Sequence, residues 1–199
     1  DIGDFGAVWI TGPAGSGKTT AINSYLTDRN RPCLWYSLDE GDSDIASFFY
    51  YLRAAVKPHL PAGTDPPPVL TPDYFPNFSV YAKRFFERIF AALSSPFVLV
   101  FDDYQDVPAD SALHEVLCSA ISQTSEGNRI YVLSREEPPP ELARPRANCK
   151  LYILGWEHLR LKPAETRGVA QKITRKTLPD EVLADLQAKT DGWVAGLLY

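Results

Sequence analysis

Residues Gly12 to Thr20 read GPAGSGKTT. They lie between a short apolar run, AVWIT (Ala7–Thr11), and a stretch with helical spacing, KTTAINSYLTD (Lys18–Asp28). The string satisfies G-x-x-x-x-G-K-[ST] at Gly12, Gly17, Lys18 and Thr19. Glycines at 12, 15 and 17 let the backbone curl so that several N–H groups face one anion. A helix beginning near Lys18 adds the positive end of its dipole. A glycine-rich turn with a solvated lysine would share these residues, but the strand before and the helix after favour a phosphate cradle. Gly12, Pro13, Ala14, Gly15, Ser16, Gly17, Lys18, Thr19 and Thr20 are therefore the candidate nucleotide-binding residues. Lys18 is expected to reach the β- and γ-phosphates, and the Thr19 hydroxyl to ligate Mg²⁺.

Strand-like and helix-like stretches alternate along the chain, without internal repeats. Five apolar runs read as strands: Ala7–Thr11, Cys33–Ser37, Phe97–Phe101, Arg129–Leu133 and Lys150–Leu154. Between them, IASFFYYLRAAV, FSVYAKRFFERIFAAL and SALHEVLCSAI carry apolar residues at helical spacing, the last with Asp110 or Ser111 as N-cap. Such alternation predicts an α/β fold with helices on both faces of a mostly parallel sheet. The fold class is thus a three-layer P-loop NTPase fold with a five-stranded sheet. The proline-dense stretch 58–78 is predicted to be a long surface loop within one domain, residues 1–155. After a boundary near Gly155–Lys162, PAETRGVAQKITR and LPDEVLADLQAKT read as two helices. Residues 156–199 are therefore expected to begin a helical subdomain.

A phosphate cradle needs a metal partner, and PFVLVFDD supplies one. A buried strand would deliver Asp102 to the carboxyl edge of the sheet, where ligands bind in open α/β folds. Asp102 is the expected Mg²⁺ partner beside Thr19. Asp103, one residue on, is placed to orient or deprotonate water. The fourth strand ends at Ser134–Arg135, and Arg135 is the candidate γ-phosphate sensor. Asp103, Lys18 and Arg135 form the candidate catalytic set. Asp39, Glu40 and Asp42, after the second strand, are expected to cap the next helix, in preference to contacting switch elements.

The formal net charge of −5 argues against a broad nucleic-acid-binding face. No apolar run reaches membrane-spanning length, and no signal peptide opens the chain. Cys33, Cys118 and Cys149 are odd in number and far apart, which suits free thiols in a reducing, cytoplasmic setting. The absence of methionine and the apolar end GWVAGLLY suggest a piece of a longer protein.

Taken together, GPAGSGKTT, LWYSLDEGDSDIASFFYYL, FVLVFDDY, IYVLSREEPPPELAR and KTDGWVAGLL resemble the nucleotide-binding domain of STAND-class NTPases. The likeness is to the large ATP-dependent LuxR-type transcriptional regulators of the maltose-activator kind, and it runs along nearly the whole chain. In other STAND proteins a glycine–any–proline loop approaches the adenine in the region of DGWVAGL; here Gly192–Trp193–Val194 has no proline. The resemblance implies ATP or ADP as cofactor with Mg²⁺, a closed monomer with ADP, self-association with ATP and inducer, and slow hydrolysis as reset. It also implies sensor and DNA-binding parts lying C-terminal to this segment, which would itself contact no nucleic acid.

Other P-loop classes fit less well. AKTD (Ala188–Asp191) nearly matches a guanine-reading motif, but it ends a predicted helix and its first residue differs. Trp193, beside it, is expected either near the base or, in preference, in the core between the two parts. No transporter signature appears. A small-molecule kinase would use an arginine-bearing lid, for which REEPPPELARPR (Arg135–Arg146) is the candidate. A nucleotide-binding interaction module without turnover is the remaining alternative.

Overall fold

A computed structural model describes residues 5–93 and 96–197. The first strand, β1 (Ala7–Thr11), leads into α1 (Lys18–Asp28). Then come β2 (Cys33–Ser37), α2 (Ile45–Val56), α3 (Phe78–Ala92) and β3 (Val98–Asp102). The second half adds α4 (Leu113–Ser122), β4 (Arg129–Ser134), the short α5 (Ala143–Ala147) and β5 (Leu151–Leu154). A single turn, α6 (Trp156–Leu159), precedes the pair α7 (Pro163–Thr174) and α8 (Asp180–Thr190).

The sheet runs β2-β3-β4-β1-β5, and every pairing is parallel. Both faces are covered, so alternate residues of each strand enter different cores. Ala7, Trp9, Leu99, Phe101, Ile130 and Val132 pack with the aromatic faces of α2 and α3 and the aliphatic face of α4. Val8, Ile10, Val98, Val100, Tyr131 and Leu133 pack on the other side with Leu26 of α1. This period of two decides where the acid at the end of β3 points. Asp102 shares parity with Val98 and Val100, so it faces α1.

Several expected boundaries shift. Strand β3 begins at Val98 rather than Phe97 and runs on to Asp102, because Asp102 pairs in register with Ser37 and its carbonyl accepts from Leu38 N–H. Strand β4 extends to Ser134, paired with Thr11, and β5 begins at Leu151. The capping expectation for Asp39, Glu40 and Asp42 is corrected. Asp39 and Asp42 cap a 3-10 turn, Glu40–Ser43, whereas α2 is capped by Asp44, which accepts from Ser47 N–H at 3.1 Å. The Tyr36 hydroxyl also donates to Asp42, at 2.7 Å. At α4 it is Ser111 that accepts from Leu113 N–H, at 3.2 Å.

The proline-rich stretch carries only 3-10 turns, at Lys57–His59 and Pro72–Asn77. It is fastened to the helices on either side. Arg53 donates to the Pro67 carbonyl and the Tyr81 hydroxyl to the Pro68 carbonyl, each at 2.7 Å. The arginine-bearing segment considered as a kinase lid is docked rather than projecting. Leu142 lies in the main core and Pro145 is buried. Among the described residues, no helix is long and apolar enough to cross a membrane. The three cysteines are free. The last two residues of GWVAGLLY lie outside the described residues; Ala195–Leu197 form a 3-10 turn rather than an α-helix.

Candidate functional site

The carboxyl ends of β1, β3 and β4 meet at the glycine loop and the start of α1. The loop leaves β1 with Gly12 N–H donating to the Ser134 carbonyl at 3.4 Å, which ties it to the end of β4. Ser16 N–H closes back on the Pro13 carbonyl at 3.2 Å. Gly15 has φ 69°, a left-handed conformation open to glycine at little cost. Helix α1 then begins after Gly17, and no side chain caps its first turn. The N–H groups that a capping side chain would otherwise satisfy are thus left at the loop. Pro13, Ala14 and Gly15 are exposed at the loop's tip, and Thr20 follows in the first turn of α1, also exposed.

The Lys18 ammonium donates to the Gly12 carbonyl at 2.7 Å, the Pro13 carbonyl at 3.1 Å and Ser16 Oγ at 3.4 Å. Burial, and then the Arg135 guanidinium, push its pKa below the ordinary lysine value; Asp102 and Asp103 pull it back up. Lys18 therefore sits within electrostatic reach of the three other charged residues singled out from the sequence.

Strand β3 brings Asp102 to the loop. The Thr19 hydroxyl donates to Asp102 Oδ2 at 3.0 Å, and the Trp35 indole N–H donates to the same oxygen at 3.3 Å. Asp103 N–H donates to Asp102 Oδ1 at 3.0 Å. Asp102 is only 6% exposed, so these donors offset the cost of burying its charge. A hydroxyl and a carboxylate at hydrogen-bond distance are hard oxygen donors of the kind Mg²⁺ takes alongside phosphate oxygens and water. Among the described residues, no group of three or more His, Cys, Asp or Glu could hold a metal by itself. The donor set therefore suits a cation completed by a ligand's own oxygens.

Asp103 leaves the strand in the left-handed region, with φ 58°. Arg135 begins the loop after β4, with an exposed side chain and its backbone N–H donating to Gln105 Oε1 at 3.1 Å.

The second surface of the loop comes from the end of the described chain. The Trp193 indole N–H donates to the Ala14 carbonyl at 2.8 Å, and Ala195 N–H to the Gly15 carbonyl at 3.1 Å. Trp193 is 36% exposed, which corrects its expected place in the core between the two parts. An indole N–H needs an acceptor, and the loop's outward carbonyls supply one. The approach is fixed by Gly192, φ 76°, where a Cβ would stand 2.4 Å from the Leu161 carbonyl oxygen. Leu161 N–H donates in turn to the Gly192 carbonyl at 2.9 Å, and Gln187 of α8 donates to the Leu161 carbonyl at 3.0 Å. Asp191 is the C-cap of α8, and its carboxylate is paired with Arg160 at 3.2 Å.

Sequence reasoning missed Trp35, Gln105 and the seat of Trp193. For Trp35 a signal existed: it lies two residues before Ser37 on β2, hence on the same face as the acid that ends the neighbouring strand.

No family model matches the chain. It is 30% identical over 192 residues to the HTH-type transcriptional regulator MalT of Yersinia pestis (strain Pestoides F). MalT of Yersinia pseudotuberculosis (serotype O:1b, strain IP 31758) gives the same figure. The match covers 94% of this chain and 21% of each relative, so the chain spans about a fifth of the length of the curated relatives it matches. In fold it is similar to a Walker-type ATPase of Pyrococcus abyssi, with a TM-score of 0.52 and 12% identity over 98% of this chain and 61% of that one. The chain is an α/β domain with a five-stranded parallel sheet followed by helices, has the fold seen in a Walker-type ATPase, and resembles one stretch of the MalT-type transcriptional regulators.

Proposed function

We propose that this chain is the adenine-nucleotide switch module of a STAND-class transcriptional regulator: it binds ATP or ADP with Mg²⁺ and hydrolyses ATP slowly. The observation that carries the reading is the 3.0 Å hydrogen bond from Thr19 to Asp102, which joins the two halves of the site across 83 residues of sequence. Residues Gly12 to Thr20 hold the phosphates, with backbone N–H groups from the loop and the first turn of α1. Lys18 exchanges its loop carbonyls for phosphate oxygens. Thr19 and Asp102 hold Mg²⁺, which when bound neutralises phosphate charge. Asp103 orients or deprotonates the attacking water, and Arg135 reports on the γ-phosphate.

Adenine is favoured because Asp191, the only candidate for reading guanine, is committed to Arg160. The MalT relatives are named HTH-type transcriptional regulators, and this supports DNA-binding parts elsewhere in the full protein; ATP-dependent self-association, a sensor part and a cytoplasmic location belong to the same proposal. The docked segment Arg135–Arg146 weighs against a small-molecule kinase.

The test is phosphate release from Mg–ATP without an acceptor, together with sedimentation in ATP and in ADP. Slow release and a larger species in ATP are expected. No release, or GDP displacing ADP at equal concentration, would contradict the reading. Asp103→Asn is expected to leave ATP binding nearly intact and slow single-turnover hydrolysis by ~10²–10⁴-fold, as for general acid–base groups.

A further inference from the structure

The acid that ends β3 and the loop that follows β4 are joined by one side chain, Gln105, in the 3-10 turn Tyr104–Asp106. Its amide nitrogen donates to Asp103 Oδ1 at 3.0 Å and, more weakly, to Asp106 Oδ1 at 3.4 Å. Its amide oxygen accepts from Arg135 N–H at 3.1 Å. The orientation of the amide follows from its partners. An ionised carboxylate can only accept, and a backbone N–H can only donate. Gln105 therefore serves both at once. The isosteric glutamate could accept from Arg135 but would set a second negative charge against Asp103.

Asp103 needs such a restraint. Its backbone is left-handed at φ 58°, and Asp106 N–H donates to its carbonyl at 3.0 Å, so the turn fixes its main chain. Those contacts leave the carboxylate free to rotate about χ1 and χ2. The Gln105 amide supplies the missing constraint, and it ties the carboxylate to the strand end that carries Arg135. We infer that Gln105 is a positioning residue for ATP hydrolysis, holding the Asp103 carboxylate at a fixed place relative to Arg135. The inference rests on the reading of Asp103 as the residue that acts on water. A reacting group displaced by about 1 Å can lose on the order of 10²-fold in rate, whereas nucleotide affinity depends on the loop, which Gln105 does not touch.

The experiment compares single-turnover ATP hydrolysis and ATP affinity in the wild-type chain, Gln105→Ala, Gln105→Glu, Asp103→Asn and the double variant, with thermal melts as the folding control. Gln105→Ala is expected to slow hydrolysis by roughly 10- to 100-fold with affinity changed less than about twofold. Gln105→Glu is expected to be no faster than Gln105→Ala, because volume is restored but the donor is not. The double variant should match Asp103→Asn within about twofold, since residues acting through one group are not additive. Wild-type rates in Gln105→Ala or Gln105→Glu would overturn the inference, as would multiplying effects in the double variant. If the wild-type chain releases no phosphate, or Asp103→Asn hydrolyses ATP normally, the reading of Asp103 itself fails and the inference falls with it.

Discussion

The Trp193 indole N–H donates to the Ala14 carbonyl at 2.8 Å, so the segment after α8 rests on the tip of the glycine loop. The two are 179 residues apart in sequence. The helices α7 and α8 are thereby linked to the loop through Gly192, without any contribution from the sheet.

Removing that N–H while keeping an aromatic ring should loosen the segment. A neutral hydrogen bond contributes about 0.5–1.5 kcal/mol, so Trp193→Phe should speed amide exchange there by roughly 2- to 10-fold. Ala195 N–H, bonded to the Gly15 carbonyl, is the reporter to follow by hydrogen–deuterium exchange. Unchanged protection at Ala195 would mean that the indole does not hold the segment down.

Gly192→Ala should be costly. Its φ of 76° is unfavourable for alanine, and the added Cβ would meet Leu161 backbone atoms at 2.4 and 2.7 Å. A loss on the order of 1–3 kcal/mol is expected in urea unfolding. Gly168→Ala is the control: it lies within α7 with nothing within 4 Å of the new Cβ, so it should stabilise by about 0.5–1 kcal/mol. Equal effects in the two variants would remove the argument for a close backbone approach at Gly192.

What could be read from the sequence was local. The extent of α1, Lys18–Asp28, follows from its apolar spacing after the glycine loop, and the apolar run Phe97–Phe101 followed by two acids gives β3 to within one residue. The face to which Asp102 points follows from period two once α1 is known to cover that side. The sheet order is not local, because alternation of strands and helices is compatible with several orders of the same five strands. Trp193 illustrates the same limit. Its size suggests a core position, and only the folded chain shows that its N–H finds a carbonyl on an exposed loop. Gln105 has no sequence signature, since its two partners come from different strand ends.

Cys118 should be slow to alkylate. Burial first, then Glu141 and Glu115, raise its thiol pKa to about 11, and its S–H donates to the Glu141 carbonyl at 3.2 Å. The thiolate fraction at pH 8 is then roughly two-hundredfold below that of an ordinary cysteine with pKa near 8.5. Iodoacetamide followed by peptide mass mapping should label the exposed Cys149 first, with Cys118 catching up only as the pH rises towards 11. Equal labelling at pH 8 would show that Cys118 is not shielded.

Asp102→Asn should separate metal from nucleotide. The amide keeps an acceptor for Thr19 and Trp35 but loses the charge that a divalent cation needs. ATP affinity should fall at least about tenfold in Mg²⁺, or about 1.4 kcal/mol, and change less than about twofold in EDTA. Equal losses in both conditions would point to damage to the loop rather than to a metal contact.

Calorimetric titration of Mg–ATP into the wild-type chain and into Lys18→Ala asks whether the glycine loop holds the phosphates of a nucleotide. Lys18 supplies the cation that lies on the loop itself, bonded to Gly12, Pro13 and Ser16. Saturable binding to the wild-type chain is expected, with at least a tenfold weaker affinity in Lys18→Ala, about 1.4 kcal/mol or more. Equal affinities in the two proteins, or no heat of binding in the wild type, would contradict a phosphate-holding loop.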